Sequence, residues 1–156
     1  MNRPKIVCLI GSTRFFREFM RANFEETMAG NIVLSIGFYL PGWQGNQAIA
    51  RDTLNTVLHS ETYGLSSADQ KKRLDELHLE KIKIADEVLV INVDGYIGDS
   101  AAKELIFAIL NRKSIRFLYP ESVQSHWTHL IQTALDVYPP IKYGDNVDEI
   151  FELRKS

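Results

Sequence analysis

Residues 87–119 read EVLVINVDGYIGDSAAKELIFAILNRKSIRFLY, and their pattern decides the fold. Glu87–Val93 is a strongly apolar run of the length expected for a strand buried on both faces. Asp94–Asp99 follows as a glycine-containing loop. Ser100–Arg112 then carries Leu105, Ile106, Ala108, Ile109 and Leu110 at positions that turn inward in a helix. Ser114–Tyr119 is strand-like again, and Pro120 stops it. A strand, a helix and a strand in this order form a crossover unit of a parallel sheet.

The same alternation extends towards the amino terminus. Lys5–Ile10 (KIVCLI) is a second buried-strand run, closed by Gly11-Ser12-Thr13. Arg14–Met28 places Phe15, Phe16, Phe19, Ala22, Asn23 and Met28 at helical spacing. Ser12 or Thr13 is its expected N-cap, and Ala29-Gly30 closes it. Asn31–Tyr39 reads as another strand. Residues 40–66, with Pro41, Gly42, Trp43, Gly45 and Gly64, form a variable loop with room for a short helix at Gln47–Leu58. Beyond it Ser67 caps a helix whose stripe is Leu74, Leu77, His78, Lys81, Ile82 and Ala85. After Pro120, Val123–Val137 is amphipathic through Val123, Trp127, Leu130, Ile131, Ala134 and Leu135; Pro139-Pro140 interrupts, and Val147–Arg154 reads as a last short helix. The expectation is a single α/β domain, an open parallel sheet with helices on both faces. Residues 1–120 make the α/β part and 121–156 a C-terminal helical extension.

Composition narrows the function. The 156 residues are 45% hydrophobic and 24% charged, near globular averages, which excludes disorder and repeat arrays. Eighteen basic against 20 acidic residues give a net charge of −2, too balanced for a protein that grips nucleic acid through bulk positive field. The one cysteine, Cys8, has no internal disulfide partner and points to a reducing, cytoplasmic setting. No run is long enough to span a bilayer, the apolar residues 5–10 being too short, and no targeting segment is expected. CxxC, HExxH and EF-hand spacings are absent, so no metal is expected.

In open parallel sheets ligands gather at the carboxyl ends of the strands. Two loops fall there. Gly11-Ser12-Thr13-Arg14 offers a close-approach glycine, helix-start amides, two hydroxyls and a planar guanidinium, which suits a phosphate; the same residues also make an ordinary helix cap. It is neither a Walker A loop nor a dinucleotide fingerprint. Gly95–Ser100 leads into a helix that carries Glu104 one turn in, on the flank of Ser100. An anionic Glu104 suits a nucleophile, or is an acid favoured by the helix dipole. His78 is a proton-donor candidate or a core histidine. Asp94 and Asp99 either handle protons or form Asx turns. Tyr39 and Trp43 are candidates to stack a nucleobase. His59, His126 and His129 have no partners legible from spacing.

Three stretches, KIVCLIGSTRF at 5–15, LHLEKIKIADEVLVINVDG at 77–95 and IGDSAAKELIFAILNRKSIRFL at 97–118, resemble the nucleoside 2-deoxyribosyltransferase-like superfamily. The nearest likeness is to its 2′-deoxynucleoside 5′-monophosphate N-glycosidases. The resemblance implies a flavodoxin-like sheet and a glutamate nucleophile at Glu104 that attacks C1′ of a (deoxy)ribonucleotide. It also implies a 5′-phosphate held by Gly11, Ser12 and Arg14, with a second phosphate-side hydroxyl from Ser100 or the amides around it; Thr13 and Gly98 join these as substrate-binding candidates. Three positions depart from the family pattern. Cys8 stands where an aromatic hydroxyl often holds the nucleophile, and His78 where an aspartate handles the base's proton. Gly98 occupies the acidic or serine position six before the nucleophile, with Asp99 next to it. The expected function is an N-glycosidase releasing free base and sugar phosphate. A deoxyribosyltransferase, a catalytically inactive nucleotide-binding module and a structural subunit are the alternatives. No cofactor is implied, and a homo-oligomer, dimer or higher, is expected.

Overall fold

The computed structural model describes residues 3–36 and 67–137. The expectations at 37–66, with Tyr39 and Trp43, and at 138–156 lie outside the described residues. The chain divides into two compact units, Met1–Ser35 with Leu79–Ser156, and Ile36–His78.

The first unit holds a parallel four-stranded sheet ordered β2-β1-β3-β4: β1 Ile6–Gly11, β2 Ile32–Leu34, β3 Glu87–Ile91 and β4 Ser114–Phe117. Helix α1 (Phe16–Met28) links β1 to β2, and α3 (Asp99–Leu110) links β3 to β4. Helix α2 (Ser67–Ile84) precedes β3, and α4 (Ser125–Val137) follows β4. The architecture is the expected α/β open sheet of flavodoxin-like type. In the second unit the described residues are Ile36 and 67–78, the latter helical, with Lys71–Asp75 and Lys72–Glu76 pairs at 2.6 and 3.8 Å.

Strand alternation divides the first unit's core between the sheet's two faces. Cys8, Ile10, Val88 and Val90 pack with Ile82 of α2, with α3, and with Trp127 of α4. Val7, Leu9, Leu89 and Ile91 are buried on the other face, where α1 supplies Phe19 and Ala22. Helix α3 is apolar nearly all round, and Ala101, Ala102 and all of Leu105–Leu110 are buried, as expected of a helix enclosed by its neighbours. The α1 face also carries charge. Arg116 Nη2 reaches Glu26 at 2.6 Å and Glu87 at 2.9 Å, Lys5 reaches Glu87 at 3.3 Å, and Asn31 donates to Glu26 at 2.7 Å.

Several boundaries and faces differ from the sequence reading. A 3-10 turn, Thr13–Phe15, precedes α1, and Ser12 is its cap, accepting from the Arg14 amide. On α1, Asn23 and Met28 face out, Met28 being 71% exposed; the inward positions are Phe19, Ala22 and Glu26, because the helix rolls to bring Glu26 onto Arg116. Leu77 is likewise 53% exposed. The second strand is regular only over Ile32–Leu34. The third ends at Ile91, because the backbone then folds into a 3-10 turn, Val93–Gly95, with Asp94 at φ 51°. The fourth ends at Phe117, and α4 starts at Ser125 after a 3-10 turn begun by Pro120.

Candidate functional site

The strand order locates the crevice. From β1 the chain moves to β2 on one side, and from β3 to β4 on the other. Right-handed crossovers running in opposite directions put α1 and α3 on opposite faces, so the loops after β1 and β3 part at the carboxyl edge. Gly11 and Ile91 are register partners at that edge. A Cβ on Gly11 would lie 2.9 Å from Ile91 Cβ and 3.3 Å from Phe19 Cε2, so the turn after β1 requires glycine.

The two loops meet through side chains. The Arg14 guanidinium carbon lies 4.2 Å from the centroid of the Tyr96 ring, and Phe15 meets the same ring edge-on, centroids 5.9 Å apart at 77°. Gly98 lies against the hydroxyl end of that ring; a Cβ there would come within 3.1 Å of the Tyr96 hydroxyl. Among the described residues Arg14 forms no salt bridge and its guanidinium donates to no oxygen, so none of these residues occupies its fork of donors. Thr13 and Arg14 are exposed, and Gly11 and Ser12 are partly so.

The third-strand loop is anchored behind the edge. Asn92, 1% exposed, donates through Nδ2 to the Tyr119 carbonyl at 2.9 Å, and its Oδ1 accepts from the Tyr119 amide at 3.0 Å. Its side chain thereby adds a rung to the β3–β4 ladder where the β3 backbone turns away. Gly95, at φ 75°, sits so close to the Ser122 carbonyl that a Cβ would lie 2.7 Å from that oxygen. Helix α3 then starts after Gly98, which has no side chain to cap the first-turn amides, and Asp99 and Ser100 are exposed there.

Glu104 is one turn further in and half-buried. Its charge reaches β1. Burial pushes the Cys8 thiol up to about 12, the nearby Glu104 carboxylate pushes the same way, and the Lys81 ammonium opposes both. Cys8 is therefore a neutral thiol at physiological pH, a packing residue beside the carboxylate and no nucleophile. Lys81 donates from Nζ to the Ser35 carbonyl at 2.6 Å, just past the end of β2. A carboxylate and a cation thus flank β1 on the α2–α3 face.

Of the expected site residues, Gly11–Arg14, Gly98, Asp99, Ser100 and Glu104 all belong to the first unit, at the carboxyl edge or one turn behind it. His78 is buried and belongs to the second unit. Asp94 is exposed within its turn. Sequence reasoning missed Tyr96 and Asn92. Tyr96 stands between two glycines at a loop tip, a signal that was available; Asn92 interrupts an apolar run, which marks a buried polar group needing partners. Among the described residues no group of three His, Cys, Asp or Glu is placed to hold a metal ion, and no helix is long and apolar enough to cross a membrane.

A scan against protein-family models finds no match to the chain, and a search of curated proteins finds none either.

Proposed function

We propose that the protein is an N-glycosidase acting on a (deoxy)nucleoside 5′-monophosphate. The observation that carries the reading is Arg14. It stands at the carboxyl edge without an anionic partner among the described residues, beside the loop that leads to Glu104. A guanidinium held there suits a phosphate dianion, which charge-assisted hydrogen bonds would orient. The likeness of the GSTR turn and the Glu104 helix to the deoxyribosyltransferase-like superfamily supports C1′ as the reacting carbon.

In this reading a Glu104 oxygen attacks C1′ as the C1′–N bond breaks. The base leaves with the bonding electrons and takes up a proton, for which Asp99, at the start of the Glu104 helix, is a candidate donor. Water then adds at C1′, displaces the carboxylate and yields the sugar phosphate. Carboxylates act in the same nucleophilic role in retaining glycosidases. The exposed α1 residues Met20, Phe24 and Met28 support self-association, and the lone buried Cys8 supports a cytoplasmic setting.

The test is base release, read by chromatography, from a panel of ribo- and deoxynucleoside 5′-monophosphates. Glu104→Ala is expected to abolish it. Arg14→Ala is expected to raise KM for the monophosphate about 10- to 100-fold, the loss of one to two charge-assisted bonds, while sparing turnover of the nucleoside. Release that survives Glu104→Ala, or no release from any member, overturns the reading; thermal stabilisation without release would instead mark a binding module.

A further inference from the structure

Tyr96 has no role in the chemistry above, yet its ring is held from three sides. Arg14 lies over it at 4.2 Å, Phe15 meets it edge-on at 5.9 Å, and Gly98 lies so close to its hydroxyl end that a Cβ there would come within 3.1 Å of the hydroxyl oxygen. Phe15 follows Arg14 in the turn after β1, whereas Tyr96 and Gly98 belong to the loop after β3. The ring is thus a bridge across the point where the strand order reverses.

A cation held by an aromatic face is attracted by the ring quadrupole and surrenders no hydrogen-bond donor. A carboxylate partner would hold Arg14 equally well, but would occupy the same N–H groups that an incoming anion needs. We infer that Tyr96 is a positioning residue for Arg14, fixing the guanidinium where the 5′-phosphate of the substrate is received. This rests on the monophosphate reading above. It adds that recognition of the phosphate depends on both loops, through a side chain that donates nothing to the ligand.

Two variants separate the ring from the hydroxyl. Tyr96→Phe keeps the π face, and Tyr96→Leu removes it. In kinetics with a nucleoside 5′-monophosphate and its parent nucleoside, Tyr96→Leu is expected to raise KM for the monophosphate about two- to fivefold, the worth of an exposed cation–π contact. Its kcat and the nucleoside's KM should be unchanged, and Tyr96→Phe should behave as wild type. Equal KM values for wild type and Tyr96→Leu would overturn the inference, as would parallel losses for both substrates. A second measurement needs no turnover. The Arg14 Nε–H resonance should carry a ring-current shift in wild type and Tyr96→Phe that Tyr96→Leu abolishes; an unmoved resonance refutes the stack. Titration of that resonance with inorganic phosphate tells the two readings apart. Weaker phosphate binding by Tyr96→Leu, with no base release by wild type, upholds Tyr96 and sinks the glycosidase. Wild type that neither binds phosphate nor releases base removes both.

Discussion

Replacing Asn92 tests how the loop after β3 is held. Its carboxamide makes two hydrogen bonds, at 2.9 and 3.0 Å, with the backbone of Tyr119, from a side chain that water hardly reaches. Asn92→Leu fills nearly the same volume and removes both bonds. At a net worth of about 1 kcal/mol each, the loss is about 2 kcal/mol. For a chain of this length that corresponds to a fall in Tm of about 4–8 °C by calorimetry. Asn92→Asp gives the sharper result. An ionised carboxylate still accepts from the Tyr119 amide but faces the Tyr119 carbonyl with no proton to offer. Burial and that carbonyl raise its folded pKa above the unfolded value of about 3.9. The variant's deficit against wild type is therefore smallest below about pH 4 and grows as pH rises through the folded pKa. A deficit that shrinks with rising pH, or an Asn92→Leu protein melting within about 1 °C of wild type, would show that the amide pair does not hold this edge.

Two further predictions concern other parts of the first unit. Asp86 accepts from both Arg3 guanidinium nitrogens, at 2.6 and 2.7 Å, and from the Ile6 amide at 2.8 Å, which bring its carboxyl down to about 2. Because the folded pKa is depressed, this contribution is present in full above about pH 4 and fades as pH falls towards 2. The gap in urea midpoint between wild type and Asp86→Asn should close over that range, and a gap constant down to pH 2 would disprove the coupling. Cys8, buried and held neutral, should resist alkylation at pH 8 until urea unfolds the chain; labelling of the native protein at the rate of a free thiol would contradict its placement.

The sheet was legible because its central strands, Val7–Ile10 and Val88–Ile91, are buried on both faces and so leave unbroken apolar runs between glycine-marked turns. Helix α3 was legible for the same reason. Faces on the amphipathic helices were harder: spacing admits Asn23 and Met28 to an inward stripe as readily as Ala22, and the roll of α1 also depends on Arg116, 90 residues from Glu26 in sequence, which holds Glu26 inward. At the candidate site the glycines and the charged groups could be named from local sequence. The Arg14–Tyr96 stack could not, because it depends on β1 lying beside β3, a pairing that no local window contains. Asn92 read as one more strand residue; its function is defined by Tyr119, two residues past the end of β4.

Helix α1 is fastened differently at its two ends. Near Gly11 it is fixed by Phe19, packed into the sheet close to Ile91, whereas towards Met28 it is fixed by Glu26 through Arg116, itself shared with Glu87 and, beyond it, Lys5. Added salt weakens charge pairs in proportion to their exposure and leaves apolar contacts intact or strengthened. Changes in ionic strength are therefore absorbed at the end remote from the crevice. The helix has in effect a salt-sensitive tail and an insulated head, and the turn bearing Arg14 is attached to the head.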